Sequence, residues 1–268
     1  MSKVVLITGV SAGFGRHTAT LLAQKGYKVY GTCRSTCELD PLVQVINMDV
    51  TNVQAVRNGI NTILEREGRI DILINNAGVH TGGAVEVYPY DDIRLQMDTN
   101  FMGVIHTIKA VLPAMRGQGS GTIINISSIG GLMGLPFMGY YSACKFALEG
   151  LSEALRMELR QFNIRVIVIN PGDFQTKNTA TRKNVFAAPN IDAYEQQFRK
   201  TLHIIEQEEN NGWHPEILAQ KIYRILEKKR PANRYIVGSW KQKTAVRLKY
   251  LIPDPWFAAI LRNHYDIR

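Results

Sequence analysis

Tyr141 and Lys145 stand four residues apart in Tyr141-Ser142-Ala143-Cys144-Lys145. On a helix, residues four apart share a face, so phenol and ammonium would point into the same space. A free phenol titrates near pH 10 and is a poor proton carrier at neutral pH. A neighbouring ammonium favours the phenolate and makes the pair suited to general acid/base work. With eleven tyrosines in the chain, one such pair is expected by chance, and a surface Tyr beside a solvated Lys is the plain alternative.

Two other segments carry chemistry. Thr8-Gly9-Val10-Ser11-Ala12-Gly13-Phe14-Gly15 follows an apolar run and precedes a helical pattern. Glycines there let the backbone turn tightly and approach a pyrophosphate, while the helix N-terminus offers free N–H groups. Gly121-Thr122-Ile123-Ile124-Asn125-Ile126-Ser127-Ser128-Ile129-Gly130-Gly131 ends a strand in hydroxyls followed by glycines. A serine at that edge can hydrogen-bond a substrate oxygen, although a plain strand-ending turn reads equally well.

The elements that must hold these groups alternate along the chain. Apolar runs at Val4–Thr8, Lys28–Cys33, Gln44–Met48, Ile70–Asn75, Thr122–Ser127, Ile164–Asn170 and Arg234–Val237 read as strands covered on both faces. Amphipathic stretches lie between them at Arg16–Lys25, Asn52–Glu67, Asp91–Arg116, Ser142–Gln161 and Pro215–Lys229. Thr51 and Gln54 suggest a capping box for the second of these. The crossover after Arg34 is short and contains Pro41, leaving room for about one helical turn. The alternation predicts an α/β fold: a doubly wound, Rossmann-type parallel sheet of about seven strands, helices on both faces, in a single domain. An irregular substrate-loop insertion is expected at 176–213 and a tail at 240–268.

Composition narrows the function classes. The chain has 268 residues, 45% hydrophobic and 21% charged, an ordinary globular mixture. Cys33, Cys37 and Cys144 are odd in number and lack paired zinc spacing, which predicts reduced thiols, no disulfide and no metal site. The absence of any apolar run of about 18 residues argues against a membrane-spanning helix. The first apolar run starts at Val4 and reads as a strand rather than a signal peptide, so a cytoplasmic location is expected. Of the net charge of +9, the whole excess lies in 221–249, with ten Lys/Arg and one Glu. That stretch reads as a solvated basic face, with attraction to acidic lipid or nucleic acid as the sharper alternative. Interleaved aromatics of a single-strand binder are lacking, so no nucleic-acid partner is expected.

Taken in order, these segments closely resemble the short-chain dehydrogenase/reductase family over roughly Lys3 to Thr176. Asn75-Asn76-Ala77-Gly78, Asn100 in Asp98-Thr99-Asn100-Phe101-Met102-Gly103, and Pro171-Gly172 extend the match. The resemblance implies Tyr141 as general acid/base, with Lys145 lowering its pKa and holding a nicotinamide ribose. It implies Ser128 (Ser127 in the other register) as the group orienting the substrate oxygen, and Asn100 as a residue holding a relay water. For the cofactor it implies Gly9, Ser11, Gly13, Phe14, Gly15, Asp49, Val50, Asn76, Ala77 and Gly78, with Pro171, Gly172 and Thr176 on the nicotinamide side. Phe14 replaces the family's more frequent Ile or Leu. The long tail is more similar to the hydroxysteroid and retinol dehydrogenase-like branch than to acyl-carrier-linked reductases.

NAD-preferring dinucleotide folds carry an acidic residue near the end of the second strand. Here Cys33 and then Arg34 take that place, which favours NADP over NAD because a guanidinium grips a 2′-phosphate. Ala12 stands where many NADP-users of the family are basic. Leu132, Met133, Leu135, Phe137, Met138, Phe174 and Phe186 are candidates for an apolar substrate wall, several of them equally readable as core. The expectation is an NADP(H)-dependent oxidoreductase interconverting a hydrophobic secondary alcohol and its ketone, steroid-, retinoid- or lipid-like. A 3-oxoacyl-type reductase and a catalytically silent dinucleotide sensor are the alternatives, and a homo-oligomer, dimer or tetramer, is the expected assembly.

Overall fold

Within the first strand, β1 (Val4–Thr8), side chains alternate between two apolar environments. Val4 and Leu6 join one core cluster, Val5 and Ile7 the other. This is the period of two expected of a strand buried on both sides. The computed structural model describes residues 2–35, 37–176, 182–186 and 191–267. Six further strands join β1: β2 (Lys28–Cys33), β3 (Val43–Asn47), β4 (Ile72–Asn75), β6 (Gly121–Ile126), β7 (Ile164–Pro171) and β9 (Arg234–Val237). They form a seven-stranded sheet in the order β3-β2-β1-β4-β6-β7-β9, parallel throughout. The order reverses between β1 and β4, and at such a switch point the carboxyl ends of an open α/β sheet leave a crevice.

Helices close both faces. On one lie α1 (Gly13–Gln24) and α7 (Pro215–Leu226), which bury Ala19, Leu22, Leu218, Ile222 and Ile225. On the other lie α2 (Val53–Glu67), α4 (Gly103–Gln118) and α5 (Gly139–Glu158), with Ile60, Ile63, Val111, Met115 and Leu148 fully covered. Burying each such side chain contributes about 1.5–3 kcal/mol, which fixes the sheet that carries the site.

Several local expectations are corrected. The stretch 91–116 is not one helix: α3 (Tyr90–Met97) runs into a π-helical turn, Asp98–Met102, before α4 begins. Its cause is a tertiary bond, described below, made by Asn100. The Thr51–Gln54 capping box does not form, because Asn52 Oδ1 accepts from the backbone N–H of Gln54 and Ala55 at 2.9 and 3.0 Å. Thr51 instead donates its hydroxyl to Asp49 at 2.8 Å. Among the described residues the β2–β3 connection holds no helix. Cys33 and Cys37 are joined as a disulfide, contrary to the expectation of free thiols: the turn after β2 brings their Cα atoms to 6.8 Å. Cys144 is the buried free cysteine.

The expected irregular insertion contains a 19-residue helix, α6 (Asp192–Asn210), whose Phe198, Thr201, Leu202 and Ile205 make a buried stripe. Lys183–Asn184 (β8) pairs in parallel with Thr81–Gly82 (β5). The rest of that insertion, 177–181 and 187–190, lies outside the described residues. The tail folds as α8 (Trp240–Lys249) and α9 (Asp254–His264), packed on the carboxyl edge of the sheet through Val246, Phe257 and Leu261. No helix among the described residues is long and apolar enough to cross a membrane.

Candidate active site

The glycine loop bends back over the start of α1. Gly9 has φ +72°, and a Cβ there would lie 2.7 Å from Ala77 Cα, so the turn and the close approach both require glycine. Asn76 Nδ2 donates to the carbonyls of Thr8 and Gly9 at 2.9 and 2.8 Å. Thr8 Oγ1 accepts from the N–H of Asn76 and Ala77, both at 3.0 Å. The residue before α1 is Ala12, with no side chain able to cap it. The first-turn N–H groups therefore face the crevice as an anion cradle.

That crevice, about 200 Å3, is walled by Gly9, Ser11, Gly13, Phe14, Arg34, Asp49, Val50, Asn76, Ala77, Gly78 and Thr176, with Asn100, Tyr141 and Lys145 at its inner end. Thr32 Oγ1 lies buried in the same wall without a hydrogen-bond partner. A crevice with an open helix N-terminus, positive-φ glycines and an orphaned hydroxyl fits a dinucleotide. Gly15 is not part of the crevice wall; a Cβ there would strike Gly9 O and come within 2.5 Å of Asn76 Nδ2, so the packing of the loop on α1 requires glycine. Pro171 and Gly172 border the neighbouring cavity instead.

Helix α5 begins three residues before the expected Ser142, so Tyr141 and Lys145 both lie on it. Ser128 caps the short 3-10 turn Ile129–Gly131, its Oγ accepting from Gly130 N–H at 3.0 Å. Gly130 lies beside both groups, a Cβ there falling within ordinary contact of Ser128 Oγ and Tyr141 Cε1, and the Ser128 hydroxyl reaches the Tyr141 phenol. Ser127 Oγ is also buried, but is directed at Gly131, 2.7 Å from where a Cβ would sit. Lys145 Nζ donates to the carbonyl of Ile126 at 2.9 Å.

The electrostatics differ from the expectation. Burial pushes the Tyr141 phenol up to about 12, opposed by Ser128 and Arg182. Burial also lowers Lys145 to about 8. Desolvation outweighs the Ser128 hydrogen bond and the Arg182 charge that favour the phenolate. Asn100 gives both ends of its amide to Val79, accepting from its N–H and donating to its carbonyl, each at 2.8 Å. This pins the π-helical turn to the strand-end loop that holds Asn76 and Gly78.

His80, which sequence reasoning missed, lies over Tyr141 with ring centroids 4.2 Å apart. Its Nε2 is buried without a partner, and burial lowers its pKa well below the usual value. Beyond the phenol opens a second cavity of about 350 Å3, shared with the crevice through Phe14, His80, Ser127, Tyr141 and Thr176. Met133, Leu135, Met138 and Phe174 wall it as expected, whereas Leu132 packs in the core beneath and Phe137 and Phe186 stack on Phe198. The remaining apolar wall comes from Ile205 of α6 and Ala245, Ile260, Leu261 and Tyr265 of the tail. One end is acidic, with Asp173, Glu208 and Glu209. Gln242 donates to Asp173, Arg182 pairs with Glu209, and Glu208 lies 3.2 Å from His264. Burial, then Glu208 and Glu209, push Asp173 up to about 7. Among the described residues no group of metal-ligating side chains comes together.

Residues 3–185 match the short chain dehydrogenase family. The chain belongs to that family. This short-chain dehydrogenase/reductase is 45% identical over 266 residues to a 3-ketodihydrosphingosine reductase of Bacteroides thetaiotaomicron, covering 99% of each chain. It is 31% identical over 252 residues to human 17-beta-hydroxysteroid dehydrogenase type 1, covering 87% of this chain and 76% of that one. A short-chain dehydrogenase from Streptomyces avermitilis superposes with a TM-score of 0.82 at 31% identity, over 100% of this chain and 97% of that one. The doubly wound fold and an oxidoreductase activity of this short-chain dehydrogenase/reductase follow.

Proposed function

We propose that this enzyme is an NADP(H)-dependent reductase of a hydrophobic, long-chain ketone, with a 3-ketosphingoid base as the first substrate to test. The observation that carries the reading is the cavity opening directly on Tyr141, apolar over most of its wall and lined also by Asp173, Glu208 and Glu209. A bound dinucleotide supplies the hydride. Gly9, Ser11, Gly13 and the first turn of α1 would hold its phosphates, Asp49 and Val50 its adenine end, and Asn76, Ala77, Gly78, Pro171, Gly172 and Thr176 the remainder. Arg34, exposed at the rim, would take a 2′-phosphate.

The chain's own residues then manage the proton. Tyr141, protonated at neutral pH because burial disfavours its phenolate, donates to the carbonyl oxygen as charge develops there. Ser128, beside it across Gly130, hydrogen-bonds the same oxygen and orients it. Lys145 keeps its ammonium on the Ile126 carbonyl and presents charge beneath the site. The amine carried beside the ketone in a 3-ketosphingoid base suits the end of the cavity where Asp173 already sits in the field of two other carboxylates. A silent dinucleotide sensor has no use for Ser128 and Tyr141 brought together over a glycine.

The deciding experiment is an assay of purified protein with NADPH or NADH against 3-ketodihydrosphingosine, steroid and retinoid ketones, and 3-oxoacyl thioesters. Preferred turnover of the long-chain amino ketone with NADPH supports the assignment. A preference for the thioester, or equal use of both dinucleotides, overturns it. By family likeness of α4 and α5, a homo-oligomer is proposed, to be read from the solution mass.

A further inference from the structure

The basic stretch 221–249 has no part in the chemistry above, yet it ends in an unusual surface. On α8 the exposed Trp240 (72% accessible) and Arg247 lie seven residues apart on one face, while Val246 points inward. The chain then turns through Tyr250 and Leu251, the latter 77% accessible. On α9, Phe257, Leu261 and Tyr265 face the protein, and Trp256 (69%) and Ile260 (48%), four apart, face away. The α8–α9 turn therefore shows a tyrosine, a leucine, a tryptophan and an isoleucine, with Trp240 exposed at the other end of α8. Exposed Lys241, Arg247 and Arg262 flank them, and Asp254, the acid in the turn, is paired with Lys249.

We infer that the α8–α9 corner docks on an anionic lipid surface, with Trp256 and Leu251 entering the interface and the surrounding Lys and Arg side chains facing the headgroups. Three observations commit the corner to lipid. Aromatic rings with basic flanks are the chemistry of the membrane–water boundary, where the rings sit at headgroup level and long cationic side chains reach outward. The charge is one-sided, with five Lys/Arg against the one acid Asp254 over 240–264, so pairing this corner with a second copy would oppose like charges. A bilayer containing acidic lipid supplies the complement. Finally, Ile260 belongs both to the outer face and to the mouth of the 350 Å3 cavity. Docking there would set that mouth against the phase in which a long-chain ketone dissolves, a consequence that rests on the substrate reading above.

Full-length protein is mixed with vesicles of phosphatidylcholine alone, or phosphatidylcholine with phosphatidylglycerol, and recovered by flotation at low and high salt. Binding is expected on the anionic vesicles only, weakened by salt over about a Debye length's worth of screening, with tryptophan emission shifted to the blue. L251S/W256S should lose about tenfold or more of this binding while keeping its melting temperature and its turnover of a short, water-soluble ketone. Failure to float with anionic vesicles overturns the proposal, as does flotation unchanged in L251S/W256S. A variant that only converts a larger assembly to a smaller one assigns the corner to self-association, and retention by nucleic acid without flotation assigns it there; both overturn it. Absence of reductase activity in every assay, with flotation intact, would sink the substrate reading and leave the docking standing.

Discussion

Lys145 and Tyr141 share one face of α5, yet the ammonium lies 5.7 Å from the centre of the phenol ring and gives its hydrogen bond to the carbonyl of Ile126. The lysine is thus anchored to the end of β6, at the strand edge where Ser128 also begins. The two groups that handle charge are held by different elements, and each is shifted by burial in the direction that favours its neutral form.

Replacing Tyr141 by Phe removes the proton donor and leaves the aromatic wall. Turnover should fall by about 10²–10⁴-fold, the usual contribution of a positioned general acid. Dinucleotide affinity, read by fluorescence titration, should change little. Near-normal turnover by this variant removes Tyr141 from the role.

Lys145, with its pKa lowered to about 8, loses its charge as pH rises through that value. Dinucleotide binding should weaken above about pH 8 in the wild type. In Lys145→Arg, whose guanidinium stays charged, the weakening should move to higher pH. A binding profile flat to about pH 10 in the wild type contradicts this.

Arg34→Ala should weaken NADPH by roughly ten- to hundredfold, the worth of a charge-assisted hydrogen bond. NADH should be nearly unaffected, since it lacks the 2′-phosphate. Equal losses for both would place Arg34 outside the cofactor site.

Burial, with Glu208 and Glu209 nearby, pushes the Asp173 carboxyl from its ordinary 3.8 up to about 7. The folded state holds this proton more tightly than the unfolded chain. Its contribution to stability is therefore complete below about pH 4 and is lost as pH rises through 7. Asp173→Asn mimics the protonated form, so the melting temperature of the wild type should decline relative to the variant between about pH 4 and 7 and level off above. A constant difference across that range would show that Asp173 does not carry the proton.

Local pattern and motif were enough for the sheet, the glycine loop and the Tyr141–Lys145 pair. Val4 to Thr8 can only be a two-sided strand, and Gly9 can only be glycine, because backbone sterics and apolar periodicity act over a few residues. The same local reasoning missed what distant contacts impose. Nothing within 91–116 signals the π-helical turn; it follows from an amide on Asn100 meeting Val79, 21 residues away. Cys33 and Cys37 looked unpaired by count, and the course of the chain after β2 pairs them.

The cavity shows the division most clearly. Met133, Leu135 and Met138 lie next to the serine-glycine segment in sequence, and their place in the wall was legible there. Phe137 and Phe186 have the same chemistry but are drawn onto Phe198 of α6, a partner that sequence spacing does not reveal. Asp173, Ile205, Glu208 and Leu261 come from three separate stretches, and His80 is set against Tyr141 across 61 positions. Sequence alone determined the strands, the glycine loop and the Tyr141–Lys145 pair, since each depends on neighbours a turn or a strand away. Tertiary structure decided the lining of the cavity beside Tyr141 and the raised pKa of Asp173 within it, because desolvation and carboxylate repulsion arise only when remote segments exclude water together.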